Sequence, residues 1–311
     1  MKEILPRLGG NAMAENFTNK QMLDWLCYFA DREHLNIEYV RLMNICDKMS
    51  NMLPSIETNK HVLLFVNETQ KNVCYDIWES GHGDCKVMIG KGLEVNDNIE
   101  TKNIMEMIDD EITGPTVLLI ENNSARESYK IGIKNENFSR GPIHYVGHEI
   151  RAVIMSMLEV DTNDTICIVT GESIVIEAAM MAHNGTIIAV ETDPGSKASM
   201  AENVDKFGVH NVAIVDNVEV GTMKNLPIPR LAFIVATDQL EEQVADLLKI
   251  NPKMEFIVYT LELDILSGMK EMFKRHGIKL DEVIQITVSK TNKSSMFITQ
   301  PSPWMITGRA E

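Results

Sequence analysis

The sequence has no run of 18 or more apolar residues, and its opening MKEILPRLGGNAMAENF holds no apolar stretch of signal-peptide length. A membrane-crossing helix needs about 20 such residues, so neither membrane insertion nor secretion is expected, and a cytoplasmic location is. Positive charge is also scarce: 29 Lys and Arg against 45 Asp and Glu leave a formal charge of −16. No local basic patch interrupts that surplus, which repels polyphosphate and excludes a nucleic-acid partner while leaving a small organic ligand open. Cysteines are few and odd in number. Cys27, Cys46, Cys74, Cys85 and Cys167 lack metal-type spacing and sit mostly in apolar periodic segments, as reduced structural thiols do. There is no G-x-G-x-x-G, which argues against a dinucleotide-binding oxidoreductase. No repeat of solenoid period and no long apolar-poor tract occurs either.

What is present is an α/β alternation long enough for two domains. From about residue 16 to 122 the strand-like runs are IEYVRLM (37–43), HVLLFVN (61–67), CKVMIG (85–90) and TVLLIEN (116–122), with helical periodicity at 68–80 and 101–111. This pattern predicts a mainly parallel sheet covered by helices. The polar stretch 121–142 breaks the rhythm, and a connector is placed at 123–142, between a lobe at 16–122 and a domain at 143–311, with 1–15 as an extension. After it come a helix at about 144–160 and strands at 165–170, 185–191, 211–215, 230–236 and 255–260, separated by helices at 172–183, 194–207, 238–250 and 262–276. Two final strands, 283–289 and 295–308, close the series as a hairpin. A plain dinucleotide fold does not end so; the Rossmann-like, seven-stranded class I methyltransferase sheet does.

In such sheets a ligand sits beyond the carboxyl ends of the strands. In the first of these turns lie Thr170, Gly171, Glu172 and Ser173, where Gly171 permits a tight bend and the start of the helix can face a carboxylate. Glu191 ends the second strand, the place from which an acid accepts both hydroxyls of a ribose, or else caps the following helix. Asp216 and Asn217, after the third strand, reach an adenine edge or simply form a turn. His144 and His148 have the spacing of a metal pair, but no third ligand accompanies them, and no metal site is assigned. The acidic segments 106–112 and Glu241–Glu242 read as solvated faces, and Trp25 and Trp78 as core.

The segments FSRGPIHYVGHEIRAVIMSML (138–158), IVIEAAMMAHNGTIIAVETDP (174–194), AENVDKFGVHNV (201–212) and SMFITQPSPWMITG (295–308) resemble the CbiT-type cobalt-precorrin methyltransferases. YDIWESGHGDCKVMIGKGLEV (75–95) resembles the carboxy-terminal lobe of the CbiE type, a small tetrapyrrole-methylase-like lobe, and the order of the two matches the fused CobL type. The resemblance implies S-adenosylmethionine as donor, a precorrin or cobalt-precorrin tetrapyrrole as substrate, methylation of carbon 15 with loss of carbon dioxide, and a homo-oligomer formed through the second half. The strand-end reading places that donor at Thr170 to Ser173, Glu191, Asp216 and Asn217, and the resemblance puts the tetrapyrrole against His144, Thr260, Glu262, Gln300 and Trp304; no catalytic residue is singled out. Three departures stand beside it. The match begins near residue 20, without the CbiE lobe that carries its own glycine loop, so methylation of carbon 5 by this chain alone is not expected. In CIVTGESIV, Ile168 stands where the family has an acid and only Gly171 remains of three glycines. Val218 and the ATDQ turn (236–239) replace further donor contacts. A catalytically silent relative that binds a tetrapyrrole or a partner enzyme is the alternative those departures raise.

Overall fold

The structure, a computed structural model, describes residues 15–47, 51–125, 131–141, 146–292 and 294–311. The chain divides into two compact units, Met1–Ser128 and Tyr129–Glu311.

In the first unit, helix α1 (Asn19–Glu33) starts on a capping box: Gln21 N donates to Thr18 Oγ1 and Thr18 N to the Gln21 side chain. Then follow β1 (Val40–Asn44), α2 (Met52–Thr58), β2 (His61–Val66), α3 (Val73–Ile77), β3 (Lys86–Lys91), β4 (Ile99–Asn103) and β5 (Thr116–Glu121). The sheet order is β1-β2-β5-β3-β4, and only β1 and β2 run parallel. The expectation of a mainly parallel sheet therefore fails here. The reason is chain length: seven residues between β3 and β4 cannot carry a crossover helix, so the chain turns back as a hairpin. The helix expected at 101–111 is β4 followed by a single 3-10 turn at Ile104–Glu106, and its apolar spacing comes from Ile104, Met107 and Ile112 dropping into the core. Trp25 is fully buried and donates Nε1–H to Leu93 O at 3.1 Å. Gly90 makes room for it, since a Cβ there would stand 2.4 Å from the indole. Trp78, read as core, is 40% exposed and packs its ring against Tyr75.

The second unit contains α4 (His148–Leu158), β6 (Thr165–Val169), α5 (Glu172–Met181), β7 (Thr186–Val190), α6 (Pro194–Lys206), β8 (Val212–Val215), α7 (Val220–Met223), β9 (Leu231–Val235), α8 (Leu240–Ile250), β10 (Glu255–Thr260), α9 (Leu263–Arg275), β11 (Ile278–Gln285), a short hairpin β12 (Ser289–Thr291) and β13 (Phe297–Thr299), and β14 (Trp304–Ala310). Its seven-stranded sheet runs β11-β14-β10-β9-β6-β7-β8 and is parallel except where β14 meets β10 and β11. Along β6, Ile166 and Ile168 enter one core layer while Cys167 and Val169 enter the other, which is why the strand reads as a continuous apolar run. From β6 the chain steps outward through β7 and β8, then crosses to β9 on β6's other side. That reversal opens a crevice at the carboxyl end of β6.

Residues 131–141 are bonded into this second unit. Glu177, 2% exposed, accepts from Gly132 N at 3.0 Å, Ile133 N at 2.9 Å and Arg151 Nε at 2.6 Å. Arg151, fully buried, also donates to Ile133 O and Asn135 Oδ1, and its guanidinium lies 4.8 Å from the Phe138 ring centre. Asn203 pairs with Ser139 through both its amide groups, at 2.8 and 3.0 Å.

Candidate functional site

The turn after β6 is where backbone conformation departs from the ordinary. Thr170 has φ +57°, a left-handed conformation that a β-branched residue rarely takes, and its N–H is held by Val190 O at 3.0 Å. Gly171 follows as the N-cap of α5. A Cβ on it would stand 2.5 Å from Ile168 Cγ2, so the isoleucine fills the floor of the turn and glycine is required above it. Glu172 opens α5, is 9% exposed, and accepts from Asn203 Nδ2 at 3.1 Å. Glu191 stands just past β7, 3% exposed, its N–H bonded to Val215 O and its Oε1 accepting from Asp193 N at 3.1 Å. Burial raises its pKa above the ordinary carboxylate range. Asp193 caps α6 by accepting Ser196 N at 2.7 Å, and that bond lowers its pKa.

These residues border two cavities that share Thr170. The larger, about 640 Å³, is lined by Thr170, Gly171, Glu172, Ser173 and Glu191 together with Ser196, Val235, Tyr259, Leu261, Gln300 and Pro301, and on its far wall by Asn135, Val146, Gly147 and Ile150. The smaller, about 300 Å³, is bounded by Thr170, Thr192, Asp216, Asn217, Thr237 and Gln239 among others. So the strand-end residues read from sequence do converge, in two neighbouring chambers. Asp216 is ion-paired to Lys197 Nζ at 2.5 Å. The Asn217 side chain accepts from Glu219 N and Thr222 Oγ1, which makes it a turn former at the chamber wall.

Of the residues the resemblance assigns to substrate, Gln300 lines the larger cavity. Thr260 does not: it is 2% exposed and its Oγ1 accepts from Glu262 N at 3.0 Å, while Tyr259 and Leu261, its neighbours in sequence, form the wall. Glu262 is exposed at the start of α9. Trp304 pairs with Thr260 across the sheet and packs on the second core layer. His144 lies outside the described residues. His148 Nε2 lies 3.0 Å from Glu149 Oε1, which Lys290 also contacts, and no group of three metal-ligating side chains occurs among the described residues. Ser196 and Tyr259 were not read from sequence. Strand alternation from Thr260 offered a signal for Tyr259, whereas nothing in the sequence of α6 told which first-turn side chain faces the crevice.

A family model described as the precorrin methyltransferase domain matches residues 144–302, just over half of the chain. Among solved structures, a precorrin-6Y C5,15-methyltransferase from Geobacter metallireducens is 27% identical with a TM-score of 0.54, covering 59% of this chain and 100% of that one. A precorrin 8W decarboxylase from Methanobacterium thermoautotrophicum is 18% identical (TM-score 0.49; 56% of this chain, 98% of that one). The C-terminal domain of a precorrin-6Y C5,15-methyltransferase from Rhodobacter capsulatus is 16% identical (TM-score 0.49; 58% and 99%). No curated protein matches the sequence.

Proposed function

The chain belongs to the precorrin methyltransferase domain family, and on that premise we propose that its second unit methylates carbon 15 of a precorrin or cobalt-precorrin ring, with loss of carbon dioxide from the neighbouring acetate chain. The observation that carries this reading is the pair of chambers that share Thr170 at the carboxyl end of β6, with the buried acid Glu191 lining the larger one.

The cofactor is S-adenosylmethionine, which when bound supplies a methyl group on a positively charged sulfur. The residues present fit it. A buried carboxylate with raised pKa gains from two hydroxyl donors, and the ribose offers them to Glu191. The smaller chamber, with amide and hydroxyl side chains at Asn217, Thr237 and Gln239, suits a purine edge. The amides that open α5, at Glu172 and Ser173, suit the donor's carboxylate. Tyr259, Leu261, Gln300 and Pro301 bound the side from which a flat ring approaches. Methyl transfer needs no covalent intermediate, so the work of these residues is to hold two reacting atoms in line and exclude water. Self-association through the second unit is supported by the hairpin β12–β13, where Met296, Phe297 and Ile298 are 60%, 79% and 54% exposed. The first unit we read as the CbiE-like carboxy-terminal lobe, on the strength of its GHGDC turn, in which Gly81 has φ +90°.

A second reading, a silent relative, is favoured by Ile168 occupying the floor of the donor turn. Transfer of label from methyl-labelled donor to precorrin and cobalt-precorrin substrates separates them. Label on carbon 15 with release of carbon dioxide is expected; calorimetric binding of donor without any label transfer would establish the silent relative instead.

A further inference from the structure

We infer that Ser196 holds the amino-acid end of the methyl donor, its hydroxyl accepting from the donor's α-ammonium group beside the Glu172 carboxylate, an inference that rests on the donor reading above. Ser196 sits in the first turn of α6, is 1% exposed, lines the larger cavity, and its Oγ has no hydrogen-bond partner. Its backbone N–H is already taken by Asp193, so the start of the helix is secured without the hydroxyl. A buried hydroxyl left unpaired costs stability, and a folded chain retains such a group where a ligand completes it.

The chemistry of the wall says what that ligand group is. Glu172 lies on the same side: a Cβ added to Gly141 would stand 3.2 Å from Ser196 Cα and 3.6 Å from Glu172 Oε2, so both border one point. The described residues lining the cavity include two carboxylates, Glu172 and Glu191, and no Lys, Arg or His. Glu191 lies at the strand end, where the ribose is read; Glu172 and Ser196 are left for the amino-acid end. An ammonium group supplies three N–H donors, enough for a carboxylate oxygen and a serine hydroxyl together.

The test is calorimetric titration of the full chain, parent and Ser196→Ala, with two ligands. S-adenosylhomocysteine carries the amino-acid end; 5′-methylthioadenosine shares the adenine and ribose but lacks it. Ser196→Ala is expected to weaken S-adenosylhomocysteine about tenfold, the worth of one hydrogen bond to a charged group, and to leave 5′-methylthioadenosine unchanged. Glu172→Gln should reproduce the same split. A merely structural serine would weaken both ligands alike or neither, so the split between them is the readout that separates the two roles. Equal loss for both ligands, or no loss for S-adenosylhomocysteine, overturns the inference and leaves the donor reading standing. Failure of the parent to bind either ligand overturns both.

Discussion

Glu191 is where burial and chemistry oppose each other. Its raised pKa means that between the ordinary carboxylate value of 4.5 and the higher folded value the native state holds more protons than the unfolded chain, so native stability falls as pH rises through that window. Glu191→Gln removes the charge while nearly keeping the shape. The variant is expected to be more stable than the parent at pH 7 to 8, with the gain vanishing toward pH 4, as denaturant melts across pH will reveal. Donor binding should weaken by roughly 1 to 3 kcal/mol in the same variant, since the ribose loses a charged acceptor. A variant both less stable at pH 8 and unaltered in donor affinity would make Glu191 a structural acid. Gly171 gives a second test. Gly171→Ala places a methyl 2.5 Å from Ile168 Cγ2 and is expected to destabilise the second unit. Ile168→Ala in the same chain should restore part of that loss, whereas a block confined to ligand binding would show no such coupling.

At the scale of elements, legibility followed the physics of periodicity. The parallel strands of the second unit were readable because burial on both faces gives unbroken apolar runs such as TICIVT, and α8 and α9 because they carry a 3.6 period. The run expected as one final strand at 295–308 is instead β13 in a separate hairpin and β14 in the main sheet. The first unit misled at 101–111 because Ile104, Met107 and Ile112 have helical spacing while lying on a 3-10 turn and loop. That the strand-end residues would border a crevice was legible from topology alone, whereas Ser196, in the first turn of α6, was not. Nor did the polar stretch 131–141 announce that it is stapled down. Its polarity is satisfied internally, by Glu177, Arg151 and Asn203, two of which are fully buried. Arg151→Met leaves the Glu177 charge buried without its partner and is expected to cost about 3 to 5 kcal/mol in urea melts. Arg151→Lys should not rescue it, because one ammonium cannot serve Glu177, Ile133 O and Asn135 at the geometry a planar guanidinium does. Full rescue by lysine would reduce the clamp to a simple charge pair.

For the molecule as a whole, the division at 128 and 129 and the clamp together determine which fragment can stand alone. Every residue lining the two chambers belongs to the second unit, between Asn135 and Pro301. A chain of residues 129–311 is therefore expected to fold cooperatively and to bind S-adenosylhomocysteine as the full chain does. A chain of residues 143–311, the boundary that sequence polarity suggests, keeps all seven strands but deletes Gly132, Ile133, Asn135, Phe138 and Ser139. Arg151 and Glu177 keep each other and Asn203 keeps Glu172, but Glu177 loses two N–H donors, Arg151 two acceptors and Asn203 both its bonds to Ser139, each unpaired polar group costing about 1 to 3 kcal/mol. Against the 5 to 15 kcal/mol that holds an ordinary domain together, losses of that size leave little. The shorter fragment is expected to melt without a cooperative transition or to precipitate, and the longer one to match the intact protein in calorimetric affinity. Equal melting temperatures for the two fragments would mean that 131–141 only lies against the second unit; loss of ligand binding by 129–311 would mean that the first unit contributes to the donor site.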